Sequence, residues 1–127
     1  MRAHILRISV LSGFLAMITT AAFAEQTSVL DATATANAGG TYSFSATLSH
    51  RDEGWKHYAN KWEVVTPDGK IIGTRTLFHP HVEEQPFTRN LARVEVPIGV
   101  TEVIIRGYDN VHGAGDRTFK VKLPPRR

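Results

Sequence analysis

Short runs in which apolar and polar residues alternate constrain this fold more than any other feature of the sequence. Between residues 42 and 48, apolar side chains occupy the even positions and serine or threonine the odd ones, which is typical of a strand with one buried face. Similar runs follow at 60–66, 71–78, 87–96, 102–108 and 118–123, and a weaker one precedes them at 29–36. No run has the period of an amphipathic helix. The pattern predicts an all-β fold of about seven strands.

Turn signals between these runs indicate how the strands are joined. Pro67-Asp68-Gly69-Lys70 separates two of them, and proline followed by glycine favours a tight turn, so residues 60–78 are expected to form a hairpin. Seven short strands in about 100 residues predict an immunoglobulin-like antiparallel β-sandwich. Trp62 is then the buried aromatic residue of the third strand.

The first 24 residues differ from the rest of the chain. A short basic start with Arg2 and Arg7 precedes an apolar segment, and Ala22-Phe23-Ala24 places small residues where a signal peptidase cleaves. This layout predicts a cleaved secretory signal peptide at 1–24, too short and too poorly flanked for a membrane anchor. The expected mature domain, 25–127, would be periplasmic or secreted.

Composition excludes several classes of function. The chain of 127 residues has no cysteine, which excludes disulfides, thiolate zinc sites, iron–sulfur clusters and a cysteine nucleophile. The net charge of +3 includes Arg2 and Arg7, so the mature domain carries only +1. We therefore expect no nucleic-acid partner, and the sequence indicates no oligomeric state.

Histidines are concentrated in three of the predicted connections. If successive strands alternate in direction, the connections 50–59, 79–86 and 109–117 lie at one end of the sandwich. All five histidines of the mature domain fall in them, together with six acidic residues. The histidines are His50, His57, His79, His81 and His112. A single histidine in a loop is usually a solvated side chain, so the prediction depends on the clustering.

Such a cluster favours a metal site. Imidazole is the commonest protein ligand for metals, and loops on a rigid scaffold can bring several rings around one ion. Histidines with carboxylates and no thiolate suit iron(II), zinc or copper(II), and the general order of affinities favours copper.

Two motifs stand in order along the chain. The first is His57-Tyr58-Ala59-Asn60-Lys61-Trp62-Glu63, followed by Asp68-Gly69-Lys70 and Gly73, and the second is Tyr108-Asp109-Asn110-Val111-His112-Gly113. They resemble the His-Tyr-Ile-x-Trp-Ile-Glu, Asp-Gly-Lys and Tyr-Cys-Asn-x-His-Gly motifs of the desulfoferrodoxin and neelaredoxin iron domain, the superoxide reductase family. The likeness covers most of the mature domain, residues 50–113.

This resemblance implies an immunoglobulin-like sandwich in which four histidines and an axial cysteine hold one iron(II) ion, with one face open to superoxide. The histidines implied by position are His50, His57 and His112, with His79 or His81 as the fourth. Asp109 takes the place of the cysteine, either as a ligand or as an acceptor that orients His112. A carboxylate is a harder and weaker donor than a thiolate, so the redox properties of the site would differ.

The leading hypothesis is an exported mononuclear iron protein that reduces superoxide, an oxidoreductase if it is catalytic. Its electron donor is not identified by the sequence, and solvent or a nearby acid, Lys56 or Glu53, would supply protons. One alternative is a non-catalytic periplasmic carrier or sensor of a metal ion, with copper favoured. Another is an interaction module without metal that uses the same loops as a binding surface.

Overall fold

The computed structural model describes Gly13 and residues 26–127. The predicted signal peptide, 1–24, lies outside the described residues except for Gly13. The described part of the chain contains eight strands: β1 (Ser28–Ala36), β2 (Tyr42–Ser49), β3 (Ala59–Val65), β4 (Ile71–Thr76), β5 (Phe87–Val94), β6 (Glu102–Asp109), β7 (Gly113–Ala114) and β8 (Phe119–Lys122). None of these residues belongs to a helix that could cross a bilayer. The all-β prediction is confirmed.

The strands form two antiparallel sheets that pack as a sandwich. One sheet has the order β1-β2-β5, and the other has the order β4-β3-β6-β7, with β8 also paired to β6. Each of the seven predicted strands is present within two residues of its predicted ends, and β7 is an additional short strand beside β6. In the constant-type immunoglobulin fold the fourth strand lies on the sheet of the first two, whereas β4 here pairs with β3.

The hydrophobic core lies between the sheets because the inward positions of the strands are apolar. In β2, burial alternates along the whole strand, and the buried side chains are Tyr42, Phe44, Ala46 and Leu48. Trp62 of β3 faces them and is fully buried, as predicted. Since burial of one large apolar side chain contributes about 1.5–3 kcal/mol, these residues provide much of the stability of the scaffold.

The strand pairing brings three connecting segments to one end of the sandwich. Leu48 pairs with Phe87, so the end of β2 and the start of β5 meet there. The start of β3 meets the end of β6 at the same end, because Ala59 pairs with Asp109. We call this region the histidine end; it consists of segments 50–58, 77–86 and 110–112 with Asp109. It holds the five histidines of residues 26–127, at positions 50, 57, 79, 81 and 112.

Candidate metal centre

His50 lies immediately after β2 and is almost completely buried, with 3% of its surface exposed. Its backbone N–H donates to Oε1 of Gln85 at 3.0 Å, and its ring Nδ1 lies 2.6 Å from Oδ1 of Asp52. These two contacts hold the ring with Nε2 directed away from Asp52. Nε2 is therefore the atom of His50 that a metal ion would contact.

His57 lies at the end of a tight turn that precedes β3. The turn is closed by the N–H of Glu53, which donates to the carbonyl of His57 at 2.8 Å. Gly54 has a φ of 95°, a conformation that favours glycine. As a result, Nε2 of His57 lies 3.2 Å from Nε2 of His50. The His57 side chain is 12% exposed, so it lies between the buried part of the site and solvent.

Asp109 is the last residue of β6, and its side chain is buried against the two rings. Its Oδ1 accepts hydrogen bonds from the backbone N–H groups of Val111 and His112 at 2.8 and 2.6 Å, a turn that aspartate commonly stabilises. Oδ1 also lies 3.5 Å from Nε2 of His57, and Oδ2 lies 3.8 Å from Nε2 of His50. The carboxylate thus has one oxygen engaged in the turn and one directed at His50.

His112 lies on the outer side of this group. Its Nδ1 is 3.2 Å from both oxygens of Asp109, and its ring centroid is 4.9 Å from that of His57. The His112 side chain is 28% exposed. The structure therefore brings three of the five candidate histidines, and Asp109, to one place.

The separations among these atoms fit a metal coordination shell. Ligand distances of about 2.0–2.2 Å place neighbouring ligand atoms about 3.0–3.6 Å from one another. Nε2 of His57 lies 3.2 Å from Nε2 of His50 and 3.5 Å from Oδ1 of Asp109, both within this range, and Nε2 of His50 lies 3.8 Å from Oδ2 of Asp109, just beyond it. These three residues form a group that could hold an ion. Two imidazoles and one carboxylate, with the His112 ring adjoining them through Asp109, are a donor set suited to iron, zinc or copper. The residues present therefore fit a mononuclear metal ion.

His81 is buried at the same end of the sandwich but is engaged elsewhere. Its ring stacks on Phe87 with centroids 4.0 Å apart, and its Nε2 lies 3.0 Å from Nη2 of Arg89. Burial of the ring, and then the positive charges of Arg89 and His79, lower the pKa of His81 from its ordinary value. Because a guanidinium only donates hydrogen bonds, Nε2 of His81 accepts one from Arg89.

His79 is exposed and lies beside His81, with ring centroids 4.5 Å apart. Its Nδ1 is 3.1 Å from the carbonyl oxygen of Pro80. Among residues 26–127, the cluster of mutually close ligand atoms consists of His50, His57 and Asp109 and includes none of His79, His81 and His112. His112 differs from the other two in lying against Asp109 and the His57 ring. Lys56 and Glu53, the expected proton donors, are exposed on the segment that carries His57.

Sequence reasoning missed the part that Asp52 plays at this site. Asp52 was one of six acidic residues in the histidine-rich connections, yet its side chain is fully buried between His50 and His81. The signal that could have identified it is its spacing, since a carboxylate two residues after a ligand histidine can reach Nδ1 of its ring. Arg89 was missed because nothing in a strand pattern indicates which loop histidine an arginine will contact.

Comparison with known proteins gives one informative similarity. A protein of Halomicrobium mukohataei named "Putative lipoprotein" is 41% identical over 97 residues, which are 76% of this chain and 47% of that protein. The chain thus spans about half the length of the curated relative that it matches. No family model and no solved structure matches the chain.

Proposed function

We propose that this chain is an exported protein that binds one metal ion with His50, His57, His112 and Asp109. The observation that carries this proposal is the convergence of Nε2 of His50, Nε2 of His57 and the carboxylate of Asp109 at separations of 3.2–3.8 Å. Export is supported by the name "Putative lipoprotein" of the Halomicrobium mukohataei relative and by the features of residues 1–24.

We further propose that the ion is iron(II) and that the protein reduces superoxide. Support comes from the two sequence motifs, because His57, Asp109 and His112 occupy the matching motif positions. A ferrous ion bound here would supply the one electron that, with two protons, converts superoxide to hydrogen peroxide, and an external one-electron donor would be needed to reduce the resulting ferric ion. The His57 and His112 rings border solvent, so a small anion can approach from that side. Lys56 and Glu53 are exposed on the same segment and can exchange protons with water.

The first test is the metal content and affinity of the protein purified after export. We expect one equivalent of metal per chain, with binding lost in His57→Ala and His112→Ala. His79→Ala is the matched control, since its exposed ring lies against Pro80 and His81 whereas that of His112 lies against Asp109, and it should bind metal like the wild type. A wild-type protein that binds no iron, copper or zinc would overturn the proposal. The interaction module without metal would then be the remaining hypothesis.

The second test addresses catalysis. Superoxide consumption by the iron-loaded protein should exceed that of the same protein loaded with zinc, which has no redox chemistry. Asp109→Cys should increase this rate, because a thiolate donates more charge to iron than a carboxylate does. Equal rates for the iron and zinc forms, with no gain in Asp109→Cys, would eliminate superoxide reduction.

A non-catalytic copper carrier is the second candidate. The observation that favours it is the donor set itself: imidazoles with a carboxylate and no thiolate, for which the general order of affinities places copper(II) above iron(II) and zinc. Copper in the natively exported protein, together with no superoxide consumption after iron loading, would select this candidate over the first.

A further inference from the structure

Asp52 is a buried carboxylate that lies outside the proposed ligand set. Its side chain is fully buried, and Oδ1 lies 2.6 Å from Nδ1 of His50. Oδ1 also accepts a hydrogen bond from the backbone N–H of Ala59, the first residue of β3, at 3.0 Å. Oδ2 accepts one from the backbone N–H of His81 at 2.6 Å. One side chain therefore joins the end of β2, the start of β3 and segment 77–86.

A carboxylate buried in this way is stable only while its hydrogen bonds are made. Transfer of a charged group into a protein interior is costly unless donors replace the lost water. Asp52 accepts hydrogen bonds from two backbone N–H groups and from Nδ1 of His50, and Nδ1 of His81 lies 3.9 Å from its Oδ2. The arrangement therefore fixes the position of Asp52 relative to all three segments, and the position of the His50 ring relative to Asp52.

The contact with Asp52 also selects which nitrogen of His50 carries a proton. A carboxylate only accepts hydrogen bonds, so the proton of the ring must lie on Nδ1. Nε2 is then left with the lone pair that a metal ion requires, and it lies 3.2 Å from Nε2 of His57. In metal sites, a carboxylate behind a ligand histidine fixes the tautomer and the ring orientation in this way.

We propose that Asp52 is a positioning residue that prepares His50 for metal binding and ties segment 77–86 to the site. The inference depends on the proposed metal-binding function. Asp52 lies behind the ring, on the side opposite the ligand cluster, so it supports the site without contacting the ion. Asp52 also accepts a hydrogen bond from the backbone N–H of His81. His81 therefore supports the site through its backbone and not through its ring.

The test compares Asp52→Asn with Glu63→Gln. Asparagine keeps the size of the side chain but replaces one acceptor oxygen by an N–H₂ group, which cannot accept hydrogen bonds from the donors around Asp52. Glu63 is also buried, at 3% exposure, but it contacts Arg106 and Lys61 on the outer side of β3, away from the histidines. With zinc as the probe, Asp52→Asn should weaken binding by about 10–100-fold, the usual effect of losing such a partner. Glu63→Gln should bind zinc like the wild type.

A second measurement distinguishes this inference from the proposed function. Nitrogen-15 NMR of the metal-free wild-type protein should show the proton of His50 on Nδ1, whether or not the protein binds metal, and Asp52→Asn should lose this preference. A wild-type protein that binds no zinc, iron or copper would defeat the proposed function, while the NMR result would still decide the role of Asp52. The inference is overturned if Nδ1 of His50 is unprotonated in the wild type. It is also overturned if Asp52→Asn binds zinc as tightly as Glu63→Gln. If Asp52→Asn does not fold, the protonation of Nδ1 of His50 in the wild-type spectrum decides.

Discussion

Asp109 combines two roles that two substitutions can separate. Its Oδ1 closes a turn by accepting from the N–H groups of Val111 and His112, and its negative charge faces the histidine rings. Asp109→Asn keeps a side-chain oxygen for the turn but removes the charge. Asp109→Ala removes both. Comparison of the two variants therefore assigns stability to the turn and metal affinity to the charge.

The expected magnitudes follow from these contacts. Loss of two hydrogen bonds, each contributing about 1 kcal/mol, lowers the free energy of unfolding of metal-free Asp109→Ala by about 2 kcal/mol. For a domain of this size that corresponds to a decrease in Tm of about 10 °C. Asp109→Asn should lose less than half as much. Both variants should bind zinc at least about 100-fold more weakly than the wild type. Loss of a residue that hydrogen-bonds a ligand lowers metal affinity by about 10–100-fold, and loss of a ligand should lower it at least as much.

The assay is thermal unfolding by circular dichroism in the presence of a chelator, together with zinc titration against a chromogenic competitor. Two results would refute the reasoning. If metal-free Asp109→Asn and Asp109→Ala have the same Tm, the turn is not what the carboxylate stabilises. If Asp109→Asn binds zinc as tightly as the wild type, the charge of Asp109 does not contribute to the site.

Three further predictions concern the scaffold. A Cβ at Gly115 would lie 1.9 Å from the carbonyl oxygen of Thr27, so Gly115→Ala should lower the free energy of unfolding in urea by about 1–3 kcal/mol. Trp62 is fully buried, and Trp62→Ala should cost about 3–5 kcal/mol in the same assay, with a smaller loss for Trp62→Phe. His81 has a lowered pKa because it is buried near Arg89 and His79. As pH falls, His81 therefore takes up its proton at a higher pH in the unfolded chain than in the folded protein. The metal-free protein should lose stability as pH falls below about 6.5, and His81→Gln should lose less.

The fold was largely predictable because its strands carry their own burial pattern. In β2 the alternation of apolar and polar residues matches the alternation of buried and half-buried positions over the whole strand. β7 could not be predicted in the same way, since Gly113 and Ala114 are too short a segment to have a period. Its strand conformation depends on pairing with Tyr108 and Asp109 of β6 across the short turn at 110–112, and two residues give no alternation from which such pairing could be predicted.

The site was predictable at the level of segments but not of individual rings. Alternating strand directions are enough to place the histidine-rich connections at one end of the sandwich. Which rings converge there depends on side-chain contacts: Phe87 and Arg89 hold His81, and the turn at Gly54 brings His57 against His50. A sequence pattern contains no information on these competing partners, so His79 or His81 was expected as the fourth histidine, after His50, His57 and His112, with no indication of what each ring contacts.

The separation between scaffold and site bears on the proposed chemistry. The core around Phe44 and Trp62 is formed between the sheets, whereas the candidate ligands lie in turns or at strand ends. Ligand residues in such positions can be exchanged with little effect on the core, and an aspartate where the resembled family has a cysteine is compatible with the same fold. Because two backbone donors bond to Oδ1 of Asp109, whereas Oδ2 faces ring nitrogens of His50 and His112, Oδ2 is the oxygen better placed for a metal ion. A single carboxylate oxygen is a weaker donor than a thiolate, so any redox activity must depend more strongly on the histidines. The orientation of the His50 ring, which Asp52 fixes from behind, is then a determinant of that activity.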